Sequence, residues 1–346
     1  MSLHSEILEQ PDRLEQLLQT QRANLKEIAS AIHGRRVSFV FVAARGTSDN
    51  AARYANYLLG AINRLPVALA APSLFTYYAK PPALKDALVV AISQSGVSPD
   101  IVSVVEEGRR QGCLTLAITN ASQSPLAMAA DLVLDVRAGP ELSIAATKTY
   151  TAELMSIAML SAALESDTGK VWEHLQGVSS WMREVLALEP GIGEAARRYG
   201  SIQRCAVLGR GYNYATAFEW ALKLKELAYV GAEAYSSADF QHGPVAMVGP
   251  GFPVMVVLAA GPLADSMLAL VRHLKQRVRA DLVIISNEDE ALSLAAAGIR
   301  MSPEIPESLT PIVSIAAAQL FTYHLTLASG NDPEQPRTLS KVTETR

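Results

Sequence analysis

Two short triplets constrain this chain more than any other feature. Ala44-Arg45-Gly46 and Gly209-Arg210-Gly211 each close an apolar run, and they stand 165 positions apart. The same offset carries Gly96, just after the run "LVVAIS", onto Gly261, the end of "FPVMVVLAAG". "VSFVFVA", "LVVAIS", "CLTLAIT" and "LVLDV" read as buried strands, each followed by a segment whose apolar residues recur every three and four positions. After a polar, helix-prone connector, "RCAVLGRG", "FPVMVVLAAG" and "DLVIISN" restart the pattern. Alternation of this kind predicts parallel α/β sheets. The fixed offset predicts two tandem copies of one doubly wound domain, of flavodoxin-like strand order, against the competing account of chance periodicity between two unrelated α/β domains. At 346 residues the chain also exceeds what a single core usually supports. The expected organisation is an N-terminal helical segment over 1–34, a first domain over 35–165, a helical connector over 166–199, a second domain over 200–330 and a tail over 331–346.

Composition narrows the function. With 49% hydrophobic and 18% charged residues and a formal net charge of -4, the chain lacks the clustered Lys and Arg that a nucleic-acid backbone requires, so no nucleic-acid partner is expected. Cys113 and Cys205 lie in strand-like runs, where a free thiol behaves as a small apolar residue, and this suits a reducing compartment. The N-terminal stretch "MSLHSEILEQPDRLEQLLQT" has no signal-peptide core, and a cytoplasmic location is expected. The apolar stretch Thr310 to Gly330 is long enough to span a bilayer but carries Gln319, Tyr323 and His324; it reads as a buried core helix, with no membrane partner.

The first copy is polar where the second is not. Ser93, Gln94 and Ser95 end its strand, followed by Ser98, whereas the offset places Leu258, Ala259 and Ala260 in the second copy. A fold needing hydroxyls for its own turn would keep them in both. In open parallel sheets, ligands bind at the carboxyl ends of strands, where helix N-termini offer N–H groups and a positive dipole end. "RGTSDN" supplies Gly46, Thr47 and Ser48 before another helical segment, so two loops are placed to converge on one anion. For either loop alone, capping of the following helix is a sufficient explanation. No Walker loop and no full dinucleotide fingerprint occurs.

In the second copy, "FEWALKLKELAYV" places Glu219, Lys223 and Glu226 at spacings of four and three on one helix face. A solvated, salt-bridged face is the ordinary explanation of such spacing. "DFQHGPVAM" fixes His242 beside Gly243 and Pro244, where it is suited to proton transfer near neutral pH. The tail "NDPEQPRTLSKVTETR" reads as irregular, and its Lys341 has a chemical role only if the tail folds back over a site, as an amine able to attack a carbonyl.

Taken together, "SQSG" after a strand, "ALKLKE", "HGP" and the late "QPR...SK" resemble the sugar isomerase (SIS) family. Within it the chain is similar to the isomerase half of glucosamine-6-phosphate synthases and to stand-alone type II glucosamine-6-phosphate deaminases. The resemblance implies that Gly46, Thr47, Ser48, Ser93, Gln94, Ser95 and Ser98 hold a sugar 6-phosphate. It implies that Glu226 transfers protons, with Lys223 and Glu219 on the same face, and that His242 opens the sugar ring from a neighbouring subunit of a homodimer. Lys341 matches the lysine that forms a Schiff base with the open-chain ketose. "ELSIAATK", Glu141 to Lys148, resembles the segment that closes over the sugar, with Ile144 and Ala145 near it. No cofactor and no metal are implied; the partner is a small-molecule sugar phosphate.

Three departures bear on activity. Ser2 stands where the synthase has its cysteine nucleophile, and strand-like sequence begins by about residue 38, so the chain is expected not to use glutamine itself. Arg45 stands where the synthase favours cysteine, and the "SKVTETR" tail looks more like the deaminases. The expected function is a phosphosugar aldose-ketose isomerase/deaminase that converts glucosamine 6-phosphate to fructose 6-phosphate and ammonia, or the reverse. Its alternatives are another SIS phosphosugar isomerase, an amine-sugar-phosphate lyase, or a non-catalytic amino-sugar-phosphate sensor.

Overall fold

The computed structural model describes residues 2–165 and 169–341; the last part of the expected tail, 342–346, and residues 166–168 of the connector lie outside the described residues. The described chain forms two compact units. One comprises Asp12–Glu141, Lys148–Gln176 and the tail from Ser340; the other comprises the N-terminal residues to Pro11, Leu142–Thr147 and Gly177–Leu339.

The first of these units is built on five parallel strands: β1 (Phe39–Ala43), β2 (Val67–Leu69), β3 (Ala87–Ser93), β4 (Leu114–Thr119) and β5 (Leu132–Asp135). Their order across the sheet is β2-β1-β3-β4-β5, all pairs parallel. Every residue of β3 and β4 is buried, as expected for central parallel strands covered on both faces. The second unit repeats the plan with β6 (Arg204–Gly209), β7 (Gly231–Ser236), β8 (Pro253–Leu258), β9 (Asp281–Ser286) and β10 (Ala297–Arg300), ordered β10-β9-β8-β6-β7. Read from the other edge, this is the order of the first sheet.

The repeat extends to side chains. Phe41, Ala43, Val89 and Ala91 share one buried cluster, and the residues 165 positions on, Ala206, Leu208, Val254 and Val256, share the corresponding cluster of the second unit. Gly46 and Gly211 both adopt left-handed backbone, with φ of 53° and 60°. The two-copy expectation is therefore realised in strand order, core and turns. Three strands escaped the sequence reading: β2, β7 and β10 are edge strands, each short or partly exposed, so none shows an unbroken apolar run.

Glu307–Ala328 is the one helical segment among the described residues long and apolar enough to cross a membrane. It is 78% buried in its most apolar window, as a core helix of its unit. Both cysteines are free and buried, and burial pushes the Cys205 thiol up to about 12, which keeps it protonated and unreactive.

The turn after β3 is sterically closed. Gly96 has φ 64°, and a Cβ there would lie 2.1 Å from Ser124 Oγ. Ser124 is in turn occupied as the cap of Pro125–Ala129. Gly96→Ala is expected to cost about 3 kcal/mol, combining left-handed strain with overpacking, as a lowered urea midpoint at unchanged slope. A variant of wild-type stability would show that this turn relaxes freely.

Candidate active site

Within the first unit, two strand ends feed two helices. β1 leads through Arg45 into the helix Gly46–Ala61, and β3 leads through the Ser93 to Ser98 turn into the helix Pro99–Arg110. The order β2-β1-β3 places β1 and β3 side by side, with the chain leaving them toward opposite sheet edges. This is the switch point at which open parallel sheets bind ligands.

Capping does not account for either loop. Arg45 and Ser98 occupy the cap positions, and neither side chain makes a capping hydrogen bond. The serines divide by task. Ser93 Oγ accepts the Gly96 N–H at 3.1 Å, so this hydroxyl serves the turn after all. Ser48 Oγ donates to the buried carboxylate of Glu153 at 2.8 Å. Ser95 and Ser98 are half-buried and make no side-chain hydrogen bond among the described residues, so their hydroxyls are the ones available to an anion.

Arg45 has a structural partner. Its Nε and Nη2 both lie 2.8 Å from Oδ2 of Asp100, a fully buried carboxylate in the first turn of Pro99–Arg110. Asp100 Oδ1 accepts the Ile101 N–H at 2.9 Å. The guanidinium thus staples one loop to the other instead of standing as an isolated cation. The second copy keeps the device in weaker form, with Arg210 Nη1 donating to Ser266 Oγ at 2.8 Å.

Sequence reasoning missed the residue that gathers the rest. Glu141 closes the first unit's main segment, its side chain without solvent exposure. Its Oε2 accepts from Gln94 Nε2 at 2.7 Å, from Thr149 Oγ1 at 2.9 Å and from Lys341 Nζ at 2.8 Å. Lys341 is therefore folded back beside the Gln94 loop, and the tail does carry an anchored lysine. Only the position of Glu141 at the head of "ELSIAATK" hinted at this.

The second unit holds another charged group. Glu219, Lys223 and Glu226 lie on the helix Tyr214–Leu227 as the spacing predicts, but the face is not solvated. Lys223 and Glu219 have side-chain exposures of 2% and 0%, and Glu226 has 21%. The surrounding core buries this face as well as the one carrying Trp220 and Leu224, which spacing alone cannot reveal. Lys223 Nζ is 2.5 Å from Glu226 Oε2 and 3.4 Å from Glu219 Oε1, so a buried ammonium orients the one carboxylate that reaches toward solvent. His242 is exposed at the end of the short helix Ser237–Gln241. Ala145 is buried and Ile144 half-buried in the segment Leu142–Thr147.

The corresponding turns of the second copy are filled differently. A Cβ on Gly261 would lie 2.6 Å from Glu307 Oε2, and one on Gly211 would lie 3.7 Å from Glu307 Oε1. A carboxylate of the chain itself occupies the place corresponding to the first copy's loops, and burial raises its pKa above the usual carboxylate value.

The family model of the SIS domain matches residues 36–163 and 201–329. A curated relative, the isomerizing glutamine–fructose-6-phosphate aminotransferase of Thermus thermophilus, is 34% identical over 348 residues, covering 97% of this chain and 57% of the relative. The chain thus spans little more than half the length of that relative. A solved structure named as a candidate phosphosugar isomerase, from Silicibacter pomeroyi, is 30% identical with a TM-score of 0.85, covering 96% of this chain and 100% of that one. The glucosamine-6-phosphate deaminase of Thermotoga maritima shares the fold, with a TM-score of 0.78 at 20% identity and full coverage of both chains.

Arg45→Met takes the guanidinium away from a buried carboxylate and is expected to cost about 2 kcal/mol in urea unfolding. The double variant Arg45→Met with Asp100→Asn should recover part of that loss. Equal stability of Arg45→Met and wild type would remove the staple.

Proposed function

The chain belongs to the SIS domain family, with two copies in tandem, and on that premise we propose that it converts glucosamine 6-phosphate and water to fructose 6-phosphate and ammonia. The observation that carries this reading is the 2.8 Å pair between Lys341 Nζ and Glu141, which also receives Gln94 of the anion loop. An amine held beside a phosphate loop suits a sugar phosphate that reacts through its carbonyl.

In this reading the phosphate binds the Gly46 to Ser48 and Ser93 to Ser98 loops, with the Ser95 and Ser98 hydroxyls donating to it. Binding energy from that remote group holds the reacting carbons in place. His242, exposed on its own unit, opens the ring, and it is contributed across the interface of a homodimer. Glu226 removes the proton from C2 of the open aldehyde and returns it to C1, which leaves an imine at C2. Lys223 orients that carboxylate through the 2.5 Å contact. The Lys341 amine displaces ammonia from C2, and water then releases the ketose. The neutral balance is one water consumed and one ammonia released. A cytoplasmic setting belongs to the same proposal.

Purified chain supplied with glucosamine 6-phosphate should release ammonia and fructose 6-phosphate in equal amounts. Lys341→Ala should abolish ammonia release, and Glu226→Gln should lower turnover by at least ~100-fold, as for loss of a general base. Absence of both products from the wild-type chain, or full activity in either variant, would overturn the proposal.

A further inference from the structure

Beyond Ala328 the tail runs to Lys341 without helix or strand, so its placement depends on turns and side-chain anchors instead of regular backbone hydrogen bonding. The lysine nonetheless sits in a defined place, with a side-chain exposure of 25%, against a carboxylate with none. That carboxylate is itself fixed from the helix Lys148–Leu164: Thr149 donates its N–H to Glu141 Oε1 at 3.1 Å and its hydroxyl to Oε2 at 2.9 Å. Gln94 and Lys341 meet on the same oxygen, from positions 47 and 200 residues away in sequence. A buried carboxylate is tolerated where donors and a cation offset its desolvation, so loop, helix and tail are each stabilised by the presence of the others.

We propose that Glu141 is the positioning residue for Lys341, and that through Oε2 it links the placement of this amine to the Gln94 loop. The role rests on the reading of Lys341 as the group that condenses with the ketose carbonyl. In that step a C–N bond forms at C2, the carbonyl oxygen leaves as water, and two protons of the lysine ammonium leave with it, giving a protonated imine. In this role Glu141 acts through Lys341. Its task is to present Nζ at a set distance from the loop that holds the phosphate, so that binding and condensation use one geometry.

The test is reductive trapping. The chain is incubated with fructose 6-phosphate and borohydride, and the adduct on the Lys341 peptide is measured by mass spectrometry over time. Wild type should be labelled at Lys341. Glu141→Gln keeps an oxygen for Gln94 and Thr149 but loses the charge that holds the ammonium. It should trap at least ~10-fold more slowly, while its affinity for inorganic phosphate, measured by titration calorimetry, stays within about threefold. Thr149→Val keeps the charge and removes one anchor of the carboxylate, and should slow trapping by about threefold. Wild-type trapping rates in both variants would overturn the positioning role, as would equal losses of trapping and phosphate affinity in Glu141→Gln, which would mark a general collapse of the loop. A wild-type chain that binds phosphate but is never labelled at Lys341 would instead overturn the reading of the lysine, and the role of Glu141 with it.

Discussion

Adjacent parallel strands that send the chain to opposite edges of a sheet leave a crevice at their carboxyl ends, and this chain builds that crevice twice. β1 and β3 make it in one unit, β6 and β8 in the other. In the first unit the two strand ends deliver glycine at the turn, hydroxyls beside it, and two helix N-termini with no side-chain cap. Because the staple from Arg45 to Asp100 joins these loops, their spacing is set by an ion pair on a buried carboxylate as well as by the strands themselves.

The two crevices differ by a small number of residues. In the first copy, Ser95 and Ser98 keep free hydroxyls and the incoming carboxylate, Glu141, stands back to take Gln94 and Lys341. In the second copy, hydroxyls are replaced by Leu258, Ala259 and Ala260, and Glu307 closes on the paired glycines. A chain carboxylate at that place repels a phosphate and takes up the space one would need. The second unit carries its charged group on Tyr214–Leu227, where buried Lys223 orients the partly exposed Glu226.

Much of this was legible in the residues. Strands buried on both faces announce themselves as apolar runs, and the glycines that need left-handed backbone mark where those runs end, so the repeat and its register could be read directly. Edge strands such as β10, with the burial of its residues alternating, carry no such mark. The helix spacing of Glu219, Lys223 and Glu226 fixed their shared face but not its environment, because four-and-three spacing is the same on a wet face and a dry one. Glu141 and Glu307 were silent for a different reason: one lies in a loop and the other at the start of a helix, each acts on partners far away in sequence, and neither belongs to a periodic pattern that would betray it. Among the loop serines, residue type marked the candidates but not the division of labour, which depends on whether Gly96 or Glu153 has already claimed the hydroxyl.

The central claim is that the first copy's crevice, and not the second's, receives a sugar phosphate. Crystals of the chain grown with fructose 6-phosphate test it directly. Phosphate density is expected within hydrogen-bonding distance of the Ser95 and Ser98 hydroxyls, with the second copy's glycine pair still closed by Glu307. Phosphate bound beside Gly211 and Gly261, or sugar phosphate bound away from both serine hydroxyls, would contradict it.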